Sequence, residues 1–227
     1  MPQLYSRLVE AGCEEQLVFC SERTDWLNMR CGSKERKPKM VLCVCGMTGC
    51  GKSSVAKRLA EKYGLKHLSG GGALKALAVE TGYKPIGRGW WESGEGMRFL
   101  QQRVEESKFD KKVDEKLLEW ARRGNVVFDS WTMPWLLKDG FKVWLSASAK
   151  VRAGRVARRD GISFERALAA LKEKDEKTGI IYKKLYGFDL GGDFSPFDLV
   201  LDSDDLSADE VFRTLSLVVD HVVLGID

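Results

Sequence analysis

The chain has 227 residues, 44% of them hydrophobic and 31% charged, and carries a net charge of +4. These values describe a globular protein of one medium domain, with an appendage at most, and make no electrostatic case for stable nucleic-acid binding. No run approaches the roughly 18 to 20 consecutive apolar residues of a membrane span, and residues 1–10 lack the apolar core of a signal peptide.

Residues 1–39 differ in kind from the rest. Leu4, Leu8, Leu17 and Phe19 offer some apolar surface, but residues 30–39 (RCGSKERKPK) are polar and basic and read as linker. The six cysteines, at 13, 20, 31, 43, 45 and 50, show no C-x-x-C zinc spacing and read as reduced thiols of a cytoplasmic protein. At Met40 the character changes to the apolar run 40–45, a strand buried on both faces. Glycines follow. Then Val55, Leu59 and Tyr63 repeat at helical spacing, and Gly64 is placed as a C-cap.

The strand–loop–helix pattern recurs. Strands are predicted at 66–68, 125–129, 141–145 and 197–201, and helices at 73–80, 113–123 and 208–224. Alternating strands and helices imply an α/β fold with a parallel sheet covered on both faces.

Between the first strand and the first helix lies Gly46-Met47-Thr48-Gly49-Cys50-Gly51-Lys52-Ser53, a complete G-x-x-x-x-G-K-[ST] match. Its glycines let successive N–H groups point into one concavity, and the helix dipole adds to the same site. Lys52 is expected to reach the β/γ-phosphates of ATP, and the Ser53 hydroxyl to ligate Mg²⁺. Ser54 closes the loop on the helix side. Asp129 ends the apolar strand 126–128, where α/β sheets bind ligands, and is expected to hold the Mg²⁺ from the other side. Cys50 is a small residue that fits the loop; the alternative is a thiol of lowered pKa at the helix N-terminus.

After the 141–145 strand, Arg152, Arg155 and Arg159 fall at i, i+3 and i+7, so a helix sets three guanidinium groups on one face. Clustered planar cations suit a transferring phosphoryl group. Gly161 breaks that helix, and Ser163 with Glu165 starts another running to about Lys177. Together they make a lid over about 150–190 that excludes water from the transfer.

With these residues in view, the chain resembles the nucleoside monophosphate kinases, and most closely the archaeal-type cytidylate kinases, from about Met40 to Val223. The resemblance rests on the phosphate loop, His67-Leu68-Ser69-Gly70, Gly124-Asn125-Val126-Val127, Lys142-Val143-Trp144-Leu145, Arg152 through Arg159, Gly161-Ile162-Ser163-Phe164-Glu165, Tyr186-Gly187-Phe188-Asp189-Leu190 and Asp198-Leu199-Val200-Leu201, in that order. It implies the three-layer P-loop nucleoside triphosphate hydrolase fold, with five parallel strands, an acceptor region after the second of them and a helical lid. It also implies transfer of the γ-phosphoryl group of ATP to a nucleoside monophosphate, CMP or dCMP first, by a monomer with no membrane partner. The domain would begin at 40, leaving 1–39 as an upstream extension or weakly ordered appendage.

The chain departs from the family at the acceptor. Trp131 stands where an arginine is expected, Lys75 where another is, and Ile181 where a third precedes Tyr182. Lysine supplies charge without the bidentate fork of arginine. Ser69, Gly70, Lys75, Arg88 and Trp131 are the candidate acceptor residues, and Trp90 and Trp91 either stack on a base or pack in the core. Two other functions fit the same loop: a kinase of a small non-nucleotide alcohol, and an ATP-dependent switch or assembly module acting on a protein or RNA partner.

Overall fold

Residues 17–19, 39–87, 89–106 and 108–226 are described by the computed structural model. Their strands are β1 (Leu17–Phe19), β2 (Val41–Gly46), β3 (Lys66–Ser69), β4 (Val126–Asp129), β5 (Phe141–Ser146) and β6 (Leu199–Asp202). They form one sheet in the order β1-β6-β5-β2-β4-β3. The five parallel strands expected are all present, and β1 adds an antiparallel edge, with Val18 opposite Val200. The expectations for 1–16 and 20–38 lie outside the described residues.

The central strand shows why an unbroken apolar run was needed. Successive side chains of a strand point to opposite faces. Leu42 and Val44 pack on one face with Val55, Leu59 and Leu215, whereas Cys43 packs on the other with Leu74, Phe99 and Phe128. Helices therefore cover both faces. The first face carries α1 (Lys52–Tyr63) and α8 (Ala208–Val218); the second carries α2 (Gly70–Glu80), α3 (Gly94–Glu105) and α4 (Lys108–Arg123).

A short α5 (Met133–Leu136) follows β4, and α6 (Ala149–Asp160) and α7 (Phe164–Tyr186) form the helix pair expected over 150–190. Gly161 ends α6 and Gly187 ends α7, so the second helix of the pair runs well beyond Lys177. Thr178 and Gly179 are weak helix formers and suggest a stop. The packing of Thr178, Ile181 and Tyr182, all buried, carries the helix through them. The last predicted helix ends at Val218 and continues to Val223 as one π-helical turn.

Helix α3 was not predicted, because Gly94 and Gly96 lower its propensity. Gly96 has a tertiary reason: a Cβ there would collide with the carbonyl of Trp90. The 3₁₀ turn Trp90–Glu92 packs directly on the start of α3.

The chain leaves β2 toward β3, returns to β4, and crosses to β5 on the far side of β2. The carboxyl ends of β2 and β4 therefore flank the topological switch point, where such sheets bind ligands. Val44 pairs with Asp129 in that register, and the Ser130 amide donates to Val44 O at 3.3 Å.

Candidate active site

Five helices have serine caps: Ser69, Ser93, Ser148, Ser163 and Ser207 each accept an amide of the following turn. Helix α1 differs. Its N-cap is Gly51, it has no side-chain cap, and no acidic residue lies in its first turn. Its first turn thus meets the cavity without a side-chain acceptor, which leaves room for a phosphate.

The shape of the loop before it depends on backbone geometry that only glycine allows at two positions. Gly46 has φ +146, and a Cβ there would collide with the Leu145 carbonyl and lie 2.6 Å from Cys50 Sγ. At Gly49, φ +82, a Cβ would lie 2.9 Å from Arg152 O. The loop residues therefore fit the phosphates of a nucleotide. Ser53 and Asp129 line the same cavity, and Asp129 accepts from Ser69 Oγ at 3.3 Å. One carboxylate with one hydroxyl fits Mg²⁺, which is held through few protein ligands together with substrate phosphates.

Cys50 is buried, and burial pushes its thiol pKa up against the opposing charge of Lys52. It is the small residue of the loop. The alternative of a lowered pKa is overturned.

The arginine face of α6 exists, and each member has a distinct destination. Arg152 is buried behind the loop, where Nη1 donates to Thr48 O at 3.0 Å and to Asp175 Oδ2 at 2.6 Å. Asp175 also accepts the Thr48 amide at 3.3 Å, so α7 is tied to the phosphate loop through this pair. Arg155 reaches the cavity wall and donates to Cys50 O and Ser203 Oγ, both at 3.1 Å. Arg159 lies farthest out; its guanidinium is held by Asp160 at 2.6 and 2.7 Å and pairs with Glu92 at 3.3 Å.

Of the candidate acceptor residues, Ser69, Gly70, Lys75 and Trp131 line the cavity, and Arg88 lies outside the described residues. Trp131 donates its indole N–H to Gly46 O at 2.6 Å and places its ring 5.0 Å below Lys52 Nζ. It braces the loop from the acceptor side. Lys75 Nζ lies 5.7 Å from the Trp90 ring, and burial lowers its pKa against the pull of Glu92. Trp90 is core packing, its indole N–H given to Glu95 at 2.6 Å; Trp91 lines the cavity.

The far wall holds residues that the sequence reading missed. Arg103 of α3 and Asp110 of α4 form a fully buried bidentate pair, at 2.6 and 3.1 Å. One turn on, Asp114 accepts from Thr132 Oγ1 at 2.5 Å and from Tyr186 Oη at 2.6 Å. Burial pushes the Asp114 carboxyl up to about 6, although both hydrogen bonds favour its ionised form. Lys174 of α7 is buried between this wall and the phosphate loop. The cavity they enclose, about 710 Å³, runs without interruption from the loop to the Arg103–Asp110 pair. One signal was available: Asp110 and Asp114 sit at i and i+4, each beside an apolar position of α4, Phe109 and Val113.

Residues 41–205 match the cytidylate kinase-like family. The chain is 34% identical over 187 residues to the cytidylate kinase of Pyrococcus horikoshii, covering 82% of this chain and 91% of that one. It is also 34% identical over 177 residues to the cytidylate kinase of Ignicoccus hospitalis, covering 77% and 96%. Among solved structures, an uncharacterized protein from Eubacterium ventriosum superposes with a TM-score of 0.51 at 15% identity, over 80% of this chain and 98% of the other. That likeness concerns the fold alone. No helix among the described residues is long and apolar enough to cross a membrane.

Proposed function

This chain belongs to the cytidylate kinase-like family and is an ATP-dependent nucleoside monophosphate kinase, and on that premise we propose that its acceptor is CMP or dCMP. The observation that carries the reading is the single cavity with an uncapped phosphate loop at one end and buried carboxylates at the other.

ATP supplies the γ-phosphoryl group, activated by its anhydride link, and Mg²⁺ would be held between Ser53 and Asp129. The protein contributes position and charge. Lys52 and the loop amides fix the donor phosphates. Arg155 and Arg159, on the same helix face, oppose the charge that develops during transfer, while Arg152 holds the loop and α7 together from behind. Trp131 and Trp91 keep water out between donor and acceptor.

At the far wall, the Asp114 carboxylate accepts from the exocyclic amine of cytosine and disfavours the O4 carbonyl that uracil presents at the same place. Its two hydroxyl partners fix its plane. Asp114→Asn is expected to lower the CMP-over-UMP preference in kcat/KM by about 10- to 100-fold, the loss of one charge-assisted hydrogen bond in a buried site. The pH profile adds a second readout. With its pKa near 6, Asp114 protonates as the pH falls through that value and no longer accepts. The acceptor's own phosphate loses its second proton at about pH 6. The wild-type acid limb should therefore have a slope of two and the variant's a slope of one. A preference and slope unchanged by the substitution would remove Asp114 from base selection.

The reading as a whole is tested by coupled ADP assay across CMP, dCMP, UMP, AMP and shikimate-like alcohols. ADP formation should depend on CMP or dCMP. Dependence on an alcohol, or hydrolysis indifferent to every acceptor, sinks it.

A further inference from the structure

The geometry points to Lys174 as the cation that receives the phosphate of the acceptor, an inference that rests on the kinase reading above. Among the other cavity cations, Lys57 is exposed and Lys75 only half-buried, Arg58 pairs with Asp209, and three more are already engaged. Arg103 is paired with Asp110, Arg155 with Cys50 O and Ser203, and Arg159 with Asp160 and Glu92. Lys52 serves the donor. Lys174 has one carboxylate contact, Glu92 Oε1, at 3.4 Å.

Its surroundings suit a phosphate. Only 7% of the residue is exposed, and the ammonium lies 5.1 Å from the Trp91 ring and 6.0 Å from the Trp131 ring. A buried ammonium with one long ion pair is costly to keep. A phosphate dianion in the same cavity would supply what the protein does not. The side chain projects from α7, two turns before Ile181, whose own side chain is packed against Leu100 and Phe188. Helix α7 thus offers the cavity a cation at 174 and core packing at 181.

Titration gives the inference its signature. Burial lowers the Lys174 pKa to about 8; Glu92 opposes the shift, while Lys52 and Arg159 add to it. A dianion beside Lys174 must raise that pKa, so acceptor binding takes up a proton wherever free Lys174 is partly neutral. At pH 8 the uptake should be about half a proton. The acceptor phosphate, its second pKa near 6, is fully ionised there and contributes nothing.

The experiment is calorimetric titration of CMP into the full chain at pH 8, in two buffers of different ionisation enthalpy, together with steady-state kinetics. Lys174→Met should abolish the uptake and raise KM for CMP at least about tenfold, leaving KM for ATP within about twofold, because the lost interaction is a charge-assisted one on the acceptor alone. Lys174→Arg should restore KM without restoring the uptake, since a guanidinium does not titrate at this pH. Thermal melts show whether each variant folds, and K174R carries the test if K174M does not. An unchanged uptake and KM in a folded variant, beside a wild type that phosphorylates CMP, overturns the inference alone. A wild type that phosphorylates no monophosphate overturns the kinase reading, and this assignment with it.

Discussion

Lys52→Met should lower kcat by about 10³-fold or more, which corresponds to ~4 kcal/mol of transition-state stabilisation. The expectation follows from position. Lys52 is the first residue of α1, the helix whose N-terminal amides have no side-chain cap, and its ammonium stands 5.0 Å over the Trp131 ring. It makes no ion pair among the described residues, so its charge is available to the donor phosphates. For the same reason the substitution should leave thermal stability nearly unchanged. Lys52→Arg is expected to recover little, because a planar fork does not replace a compact ammonium in a closely fitted loop. The variant should also lose most of the thermal shift that a non-hydrolysable ATP analogue gives the wild type. Activity within about tenfold of the wild type would displace Lys52 from the donor site.

The donor half of this site was legible because its chemistry is local. Eight consecutive residues specify the strand end, the turn and the helix start, and backbone sterics alone fix what Gly46 and Gly49 must do. The arginine face was legible for a similar reason: spacing on one helix decides which side chains share a side. Spacing does not say what that side meets. Arg152 turns to Thr48 O and Asp175, and only the packing of α7 against α6 reveals it.

The acceptor half is tertiary throughout. Helix α3 is glycine-poor in its middle but begins with Gly94 and Gly96, so its start is set by contact with Trp90 rather than by propensity. Helix α7 crosses Thr178 and Gly179 because its buried face continues, and the extension brings Tyr182 and Tyr186 to the site. Trp131 read as a lost cation. In the structure it is a brace, donating to Gly46 O beneath the phosphate loop.

Asp110→Ala should destabilise the fold by about 3–5 kcal/mol, because it leaves a guanidinium buried without its counter-charge. Arg103 is 1% exposed and its partner 2%, and Nε and Nη2 both donate to the carboxylate. Burial works against the charge on Arg103, but Asp110 and the Tyr182 hydroxyl outweigh it and hold its pKa above the usual value. Without Asp110 that support is gone, yet a guanidinium is too basic to shed its proton, so deprotonation offers no escape when the carboxylate is removed. For a chain of this size each kcal/mol moves the melting point by about 2–4 °C, so a fall of roughly 10 °C or more is expected. Replacing both partners by apolar groups, as in R103M/D110L, should recover most of that loss, since no polar group is then left unsatisfied. The two variants separate stability from function. Asp110 and Arg103 line the cavity at the end opposite Lys52, so the double variant should melt near the wild type yet lose acceptor-dependent ADP formation. A single variant that melts within about 2 °C of the wild type would mean that water or another side chain satisfies Arg103. A double variant with intact kcat/KM for CMP would move the acceptor away from this wall.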